Sequence, residues 1–129
     1  MPYLLDMVTA YHGTHHEDLP SHPGVCFCIG RSARSAAKEY AQVRGGEWVH
    51  EVEINLEGLT VEEVEVDVAR CRRDDSWPCD SASEVAEHVA RGVDAVVFDD
   101  VCHSVAHRTI RLLSARALAA VEYLGGYDP

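Results

Sequence analysis

The chain has no run near the roughly 20 apolar residues that span a bilayer, so no membrane helix is expected. Its first residues, Met1 to Asp6, lack the basic start and long apolar stretch of a secretion signal. Positive charge is also scarce. Lys and Arg number 11 against 22 Asp and Glu, and the formal net charge is −11. A non-specific nucleic-acid binder needs clustered Lys and Arg to displace counterions, so direct nucleic-acid binding is not expected. The acidity favours solubility and docking on a basic protein surface.

Five cysteines, Cys26, Cys28, Cys71, Cys79 and Cys102, make an odd set without a secreted framework. Reduced thiols in the cytoplasm are the expectation. No Cys-x2-Cys pair occurs. The side chains of Cys26 and Cys28 are expected on opposite faces of a strand. His15, His16, His22 and the Cys102-His103 pair do not supply the spacing of a zinc site, so no metal is expected. A Cys-His nucleophile is open on composition, but strand cysteines usually behave as small buried hydrophobes.

The 129 residues are 47% hydrophobic and 26% charged, a balance that suits one folded domain spanning 1–129. No repeat, low-complexity tract or linker interrupts them. Met7 to His12 predicts a first strand, Thr14 to Gly24 a polar loop and Val25 to Ile29 a second strand. Ser32 or Ser35 caps a helix to Val43, with Ala36, Ala37, Tyr40 and Ala41 along one stripe. Trp48 to Leu56 and Thr60 to Val68 predict strands, the second half exposed. Cys71 to Asp80 reads as a loop. Ser81 to Glu84 is a capping box for a helix to Arg91, stopped by Gly92. Asp94 to Phe98, Thr109 to Leu113 and Ala119 to Leu124 predict three more strands, the last two joined by a turn at Ser114 to Leu118. Short strands with inserted helices favour an α+β domain with largely antiparallel pairing.

Three places could carry chemistry. Tyr11-His12-Gly13-Thr14 ends a strand on a histidine. Gly13 would let a backbone approach a ligand, and Thr14 would add a hydroxyl. A histidine before a turn glycine also has a plain structural reading. Tyr40 could stack on a heteroaromatic ring or fill a core. Asp99 and Asp100 end an apolar strand, where alternation lets at most one face a given cleft.

The order of these pieces carries a resemblance. Tyr-His-Gly-Thr is followed by Gly24-Val-Cys-Phe27, Ser35-Ala-Ala-Lys-Glu-Tyr-Ala41, Trp48-Val-His-Glu-Val-Glu-Ile-Asn-Leu56, Gly92-Val-Asp-Ala-Val-Val-Phe-Asp-Asp100 and Thr109-Ile-Arg-Leu-Leu-Ser-Ala-Arg-Ala-Leu118. From about Tyr11 to Leu118 the chain resembles the His-Tyr-acid branch of the ADP-ribosyltransferase superfamily, which includes diphtheria-toxin-like and poly(ADP-ribose) polymerase-like enzymes and small phage and bacterial members. The resemblance implies largely antiparallel strands in two packed sheets with two or three inserted helices. It implies NAD as substrate and a protein as the probable acceptor, in the manner of a phage or bacterial effector or anti-defence protein. His12 would bond a ribose hydroxyl, Gly13 would hold the nicotinamide amide through its backbone, Tyr40 would stack on nicotinamide, and Thr14 and Phe27 would line the site.

Many family members place the catalytic acid just before the strand equivalent to Thr109 to Leu113. Here that neighbourhood reads Ala106-His107-Arg108-Thr109, without an acid. Asp100 fits the position used by some small phage-encoded members, with Asp99 in reserve. A carboxylate there would stabilise the oxocarbenium-like state in which the nicotinamide–ribose bond breaks.

Two other functions remain open. Water as acceptor would make the chain an NAD glycohydrolase. Alternatively, Glu62, Glu63, Glu65 and Asp67 would serve an acidic interaction protein that covers a basic nucleic-acid-binding surface. An RNA 2′-phosphotransferase would need a basic phosphate cleft, which the charge disfavours.

Overall fold

A computed structural model describes residues 7–14, 18–43, 48–64, 88–100 and 107–127, without the side chains of Tyr40, Val43, Asp100, His107 and Tyr127. The elements are β1 (Met7–Thr14), β2 (Val25–Ile29), α1 (Ala33–Val43), β3 (Trp48–Asn55), β4 (Val61–Glu63), β5 (Ala95–Asp100), β6 (His107–Leu112), α2 (Ala115–Ala119) and β7 (Val121–Tyr127). The fold is α+β. Seven strands lie in the order β4-β5-β6-β2-β1-β3-β7, and every pair is antiparallel except β4 with β5.

The expected two packed sheets are instead one hydrogen-bonded sheet, with a weak seam. β1 and β2 share only the pairs Ala10↔Ile29 and Tyr11↔Cys28. By contrast, β1 pairs with β3 along its whole length, from Met7↔Asn55 to Thr14↔Trp48. The seam is invisible in sequence because strand pairing is non-local.

Period-two alternation assigns the faces. One face carries Ala10, Val25, Phe27, Ile29, Val52, Ile54, Ala95, Val97, Ile110 and Leu112, and this core crosses the seam without a break. On the opposite face α1 lays Ala37 and Ala41 on Val49, with Tyr11 and Cys28 packed beside them. Cys26 and Cys28 are therefore not on opposite faces, as expected from the sequence. A spacing of two residues puts both on one face, each half-buried between buried Val25, Phe27 and Ile29.

Ser114 to Leu118, expected as a turn, contains α2. Ser114 Oγ accepts the Ala117 N–H at 3.1 Å and caps this short helix. The expected strand from Thr60 to Val68 is described only through Val64, whose N–H donates to Val97 O at 2.9 Å. Of the helix expected to end at Arg91, residues 88–90 are described and helical, and Gly92 stops it at φ 79°. The 71–80 loop, the helix start at Ser81 and the Gly45-Gly46 stop lie outside the described residues.

Asp94 ties the β4–β5 end of the sheet together. Its carboxylate accepts the Thr60 N–H at 2.8 Å, the Ser114 hydroxyl at 2.7 Å and an Arg116 N–H at 2.6 Å. The same Arg116 nitrogen also donates to Gly58 O. Burial pushes the Asp94 carboxyl up, but the bonds from Arg116, Ser114 and Thr60 overcome it and hold it at about 2, against an ordinary 3.8. A carboxyl held low in the folded state stabilises it above the ordinary value, and that contribution is lost as pH falls toward 2. The shift corresponds to about 2 kcal/mol. Asp94→Asn should lower stability at neutral pH by about that much and flatten the loss between pH 4 and 2. Urea unfolding at several pH values checks both. An unchanged acid limb in the variant would refute the role given to Asp94.

Candidate functional site

β2 leaves β1 because its start is committed to β6. The Gly24 N–H donates to Leu112 O at 2.6 Å, and the buried Arg111 donates from Nε to Gly24 O at 2.9 Å. Gly24 has φ 94°, and a Cβ there would come within 3.0 Å of the Arg111 guanidinium. Only glycine meets both conditions without strain. From Val25 to Phe27, β2 pairs with β6, while His12 to Thr14 pair with β3. The chain opens between β1 and β2 at this end.

His12 stands at the opening. Its Nδ1 lies 2.7 Å from Cys26 O, across the gap where the ladder has ended. A carbonyl only accepts, so Nδ1 carries the hydrogen, and in the neutral ring Nε2 holds the lone pair. Phe27 backs the imidazole, with ring centroids 5.6 Å apart at 59°. Phe27 itself is 1% exposed and belongs to the core, and Thr14 is also buried.

Gly13 has a different reason to be glycine from the one expected. What approaches it is α1. A Cβ on Gly13 would fall inside the Ala37 carbonyl and 3.0 Å from Ala41 N. Tyr40 lies in this helix, between the two residues that pack over the seam.

Asp100 pairs with His107 at the end of β5, and β6 and β2 separate β5 from β1. The ladders put Phe27 level with Ile110 and Val97, so Asp100 lies farther along β5 from the row that backs His12. His12, Gly13, Thr14 and Phe27 thus come together. Tyr40 belongs to α1, which packs on the opposite face of the sheet over Gly13, and Asp100 occupies another end of the strand array. Asp99, the reserve acid, is exposed and accepts from Arg108 at 3.0 Å.

Sequence reasoning missed a second cluster on the His12 face. His50 is directly opposite His12 in the β1–β3 ladder. It is fully buried, and its Nδ1 lies 2.8 Å from the Tyr123 hydroxyl. Trp48, opposite Thr14, runs nearly parallel to the His50 ring at 11° and 6.5 Å. The available signal was Trp48-x-His50, a two-residue spacing that puts both rings on one strand face.

The acidic stripe is partly matched within the chain. Glu62 pairs with Arg91 at 3.2 Å and Glu63 with Arg108 at 2.9 Å. Glu65 and Asp67, like His15, His16, Cys71, Cys79, Cys102 and His103, lie outside the described residues. Among the described residues no group of three or more His, Cys, Asp or Glu could hold a metal ion. Among them also, no helix is long and apolar enough to cross a membrane.

No protein-family model, curated protein or solved structure matches the chain.

If the seam depends on backbone contact at Gly13, Gly13→Ala should cost about 3 kcal/mol, at the upper end for overpacking. Neither backbone that meets the new Cβ can rotate away. Thermal unfolding measures the loss, and a variant as stable as wild type would mean that α1 does not rest on β1 in this way.

Proposed function

We propose that the chain is an NAD-dependent ADP-ribosyltransferase. The observation that carries this reading is His12 at the parting of β1 and β2, with its tautomer set by Cys26 O. A ribose hydroxyl would donate to Nε2, and the edge of β1 from which β2 departs would hold the nicotinamide amide through the Gly13 backbone. Tyr40, from the helix laid over Gly13, would stack on the nicotinamide ring. Asp100 would face the positive charge that develops at the anomeric carbon as the bond to nicotinamide breaks. That carbon is bonded directly to the nicotinamide ring, so the Asp100 role requires its carboxylate to be brought to the His12 opening, from which β6 and β2 separate it.

The acceptor is proposed to be a protein side chain, since a net charge of −11 favours docking on a basic protein over nucleic acid. The purely acidic interaction reading has less support, because Glu62 and Glu63 already pair with Arg91 and Arg108.

Ligand-observed NMR with millimolar NAD should show binding and slow release of nicotinamide over hours. Folded Asp100→Ala should release it about 100-fold more slowly. Tyr40→Ala should weaken binding about tenfold, the upper range of an aromatic stacking contribution. NAD that neither binds nor decays would overturn the proposal.

A further inference from the structure

β7 forms one margin of the sheet, and among the described residues no strand pairs with its outer side. The two margins differ. β4 is three residues long and two of them are acids, which is how an edge is protected from pairing with another chain. β7 is seven residues long, with Glu122 as its only charged residue and neither Lys nor Pro. Tyr123 is 50% exposed and Leu124 is 48% exposed. The ladder with β3 shifts between Glu51 and Val52, and Leu124 has no partner in it. Such an edge offers unpaired N–H and C=O groups to an extended segment.

Tyr123 is a fixed platform on this edge. Its hydroxyl lies 2.8 Å from Nδ1 of the buried His50, whose ring runs parallel to Trp48. Gly126, the ladder partner of His50, leaves room for this bond, since a Cβ there would come 2.7 Å from the Tyr123 oxygen. An aromatic ring held before contact loses little freedom on contact.

The other face of the same margin carries the charge. Glu51 and Glu53 share the α1 face of β3, and the ladder sets Glu53 against Glu122 and Glu51 against Gly125. Like charges directly opposed destabilise a sheet. None of the ion pairs among the described residues includes these three acids. A strand added beside β7 would place one side chain next to Glu122. Another, opposite Gly125, would meet no side chain on β7 and could cross to Glu51. Those two positions on the added strand are two residues apart, as Glu53 and Glu51 are on β3. The complementary sequence is therefore cation, apolar, cation, with the apolar residue on the Tyr123 face.

We propose that the β7 edge takes an extended segment of a basic protein as an added strand, with Lys or Arg beside Glu122 and Glu51. Main-chain bonds supply the pairing and the acids select the partner. The net charge of −11 acts in the same direction and disfavours a second copy of this chain as the occupant. The surface is independent of the NAD reading.

The probe is a capped hexapeptide alternating Lys and Val, titrated into the full isotope-labelled chain at low salt. Amide shifts and slowed amide exchange should fall on β7 and the adjoining β3 residues. Glu122→Lys should weaken binding about fivefold. Glu62→Lys makes the same charge change at the opposite margin and should leave binding unchanged. The same peptide N-methylated at every amide keeps its charge but has no main-chain donors, and it should not bind. Equal binding of the methylated peptide would reduce the contact to bulk charge attraction and overturn the proposal. Shifts centred away from β7, or no binding at millimolar peptide, would also overturn it. A dimer of the chain alone in sedimentation, with β7 amides protected, would give the edge to a second copy and overturn it likewise. None of these outcomes bears on nicotinamide release, so the two readings fail separately.

Discussion

Two residue pairs join β1 to β2, and the two halves of the sheet depend on what reinforces that joint. One reinforcement is the core on the His12 face, where Ala10, Val52 and Ile54 from one half meet Phe27, Val97 and Ile110 from the other. The second is α1, whose carbonyl at Ala37 sits where any side chain at residue 13 would be. Apolar burial holds the halves together without specifying the gap. The backbone contact at Gly13 specifies it, since a helix can lie that close only over a residue without Cβ.

The opposite pull comes from Gly24 and Arg111. A buried guanidinium bonded to a backbone carbonyl satisfies part of the cost of burying a cation, and it fastens the entry of β2 to β6. Asp94 acts at the same end of the sheet, linking Thr60, the start of β5 and the cap of α2. Ala117, from that helix, enters the core. The β4-β5-β6 half is therefore tied at its end by charge-assisted bonds, and the opening beside His12 has one firmly anchored wall. A site benefits from this, because a group held by packed elements keeps its geometry better than one on a loop.

Much of the local structure could be read from residue pattern. The β2 strand, the end of α1 at Val43 and the stop at Gly92 follow from alternation, helical spacing and glycine. α2 could not be read, since five residues show too little period and Ser114 resembles a turn serine until its bond to Ala117 N is seen. The seam was not legible either, because it depends on which strands pair. Of the site, His12 and Gly13 were legible as candidates but not as a strand end, because β1 runs on through Thr14 in its ladder with β3. The His50–Tyr123 bond was not legible, because it joins residues 73 positions apart through a ladder register that no local pattern encodes.

The polar groups on the core face bear on whether this end of the sheet has a use. Val8 and Ala10 of β1 face the core with Val52 and Ile54 of β3. At the next positions on the same face, the two strands switch together to His12 and Thr14 and to Trp48 and His50. Burying such groups is unfavourable unless each is bonded, and a sheet selected only for stability would continue with Val or Ile. Here the chain bonds them instead, His12 to the Cys26 carbonyl and His50 to the Tyr123 hydroxyl. The pattern breaks in register on two strands, at the point where the third strand departs. That coincidence of a local rule broken with a gap opened in the sheet is the arrangement expected where function, not packing, chose the residues.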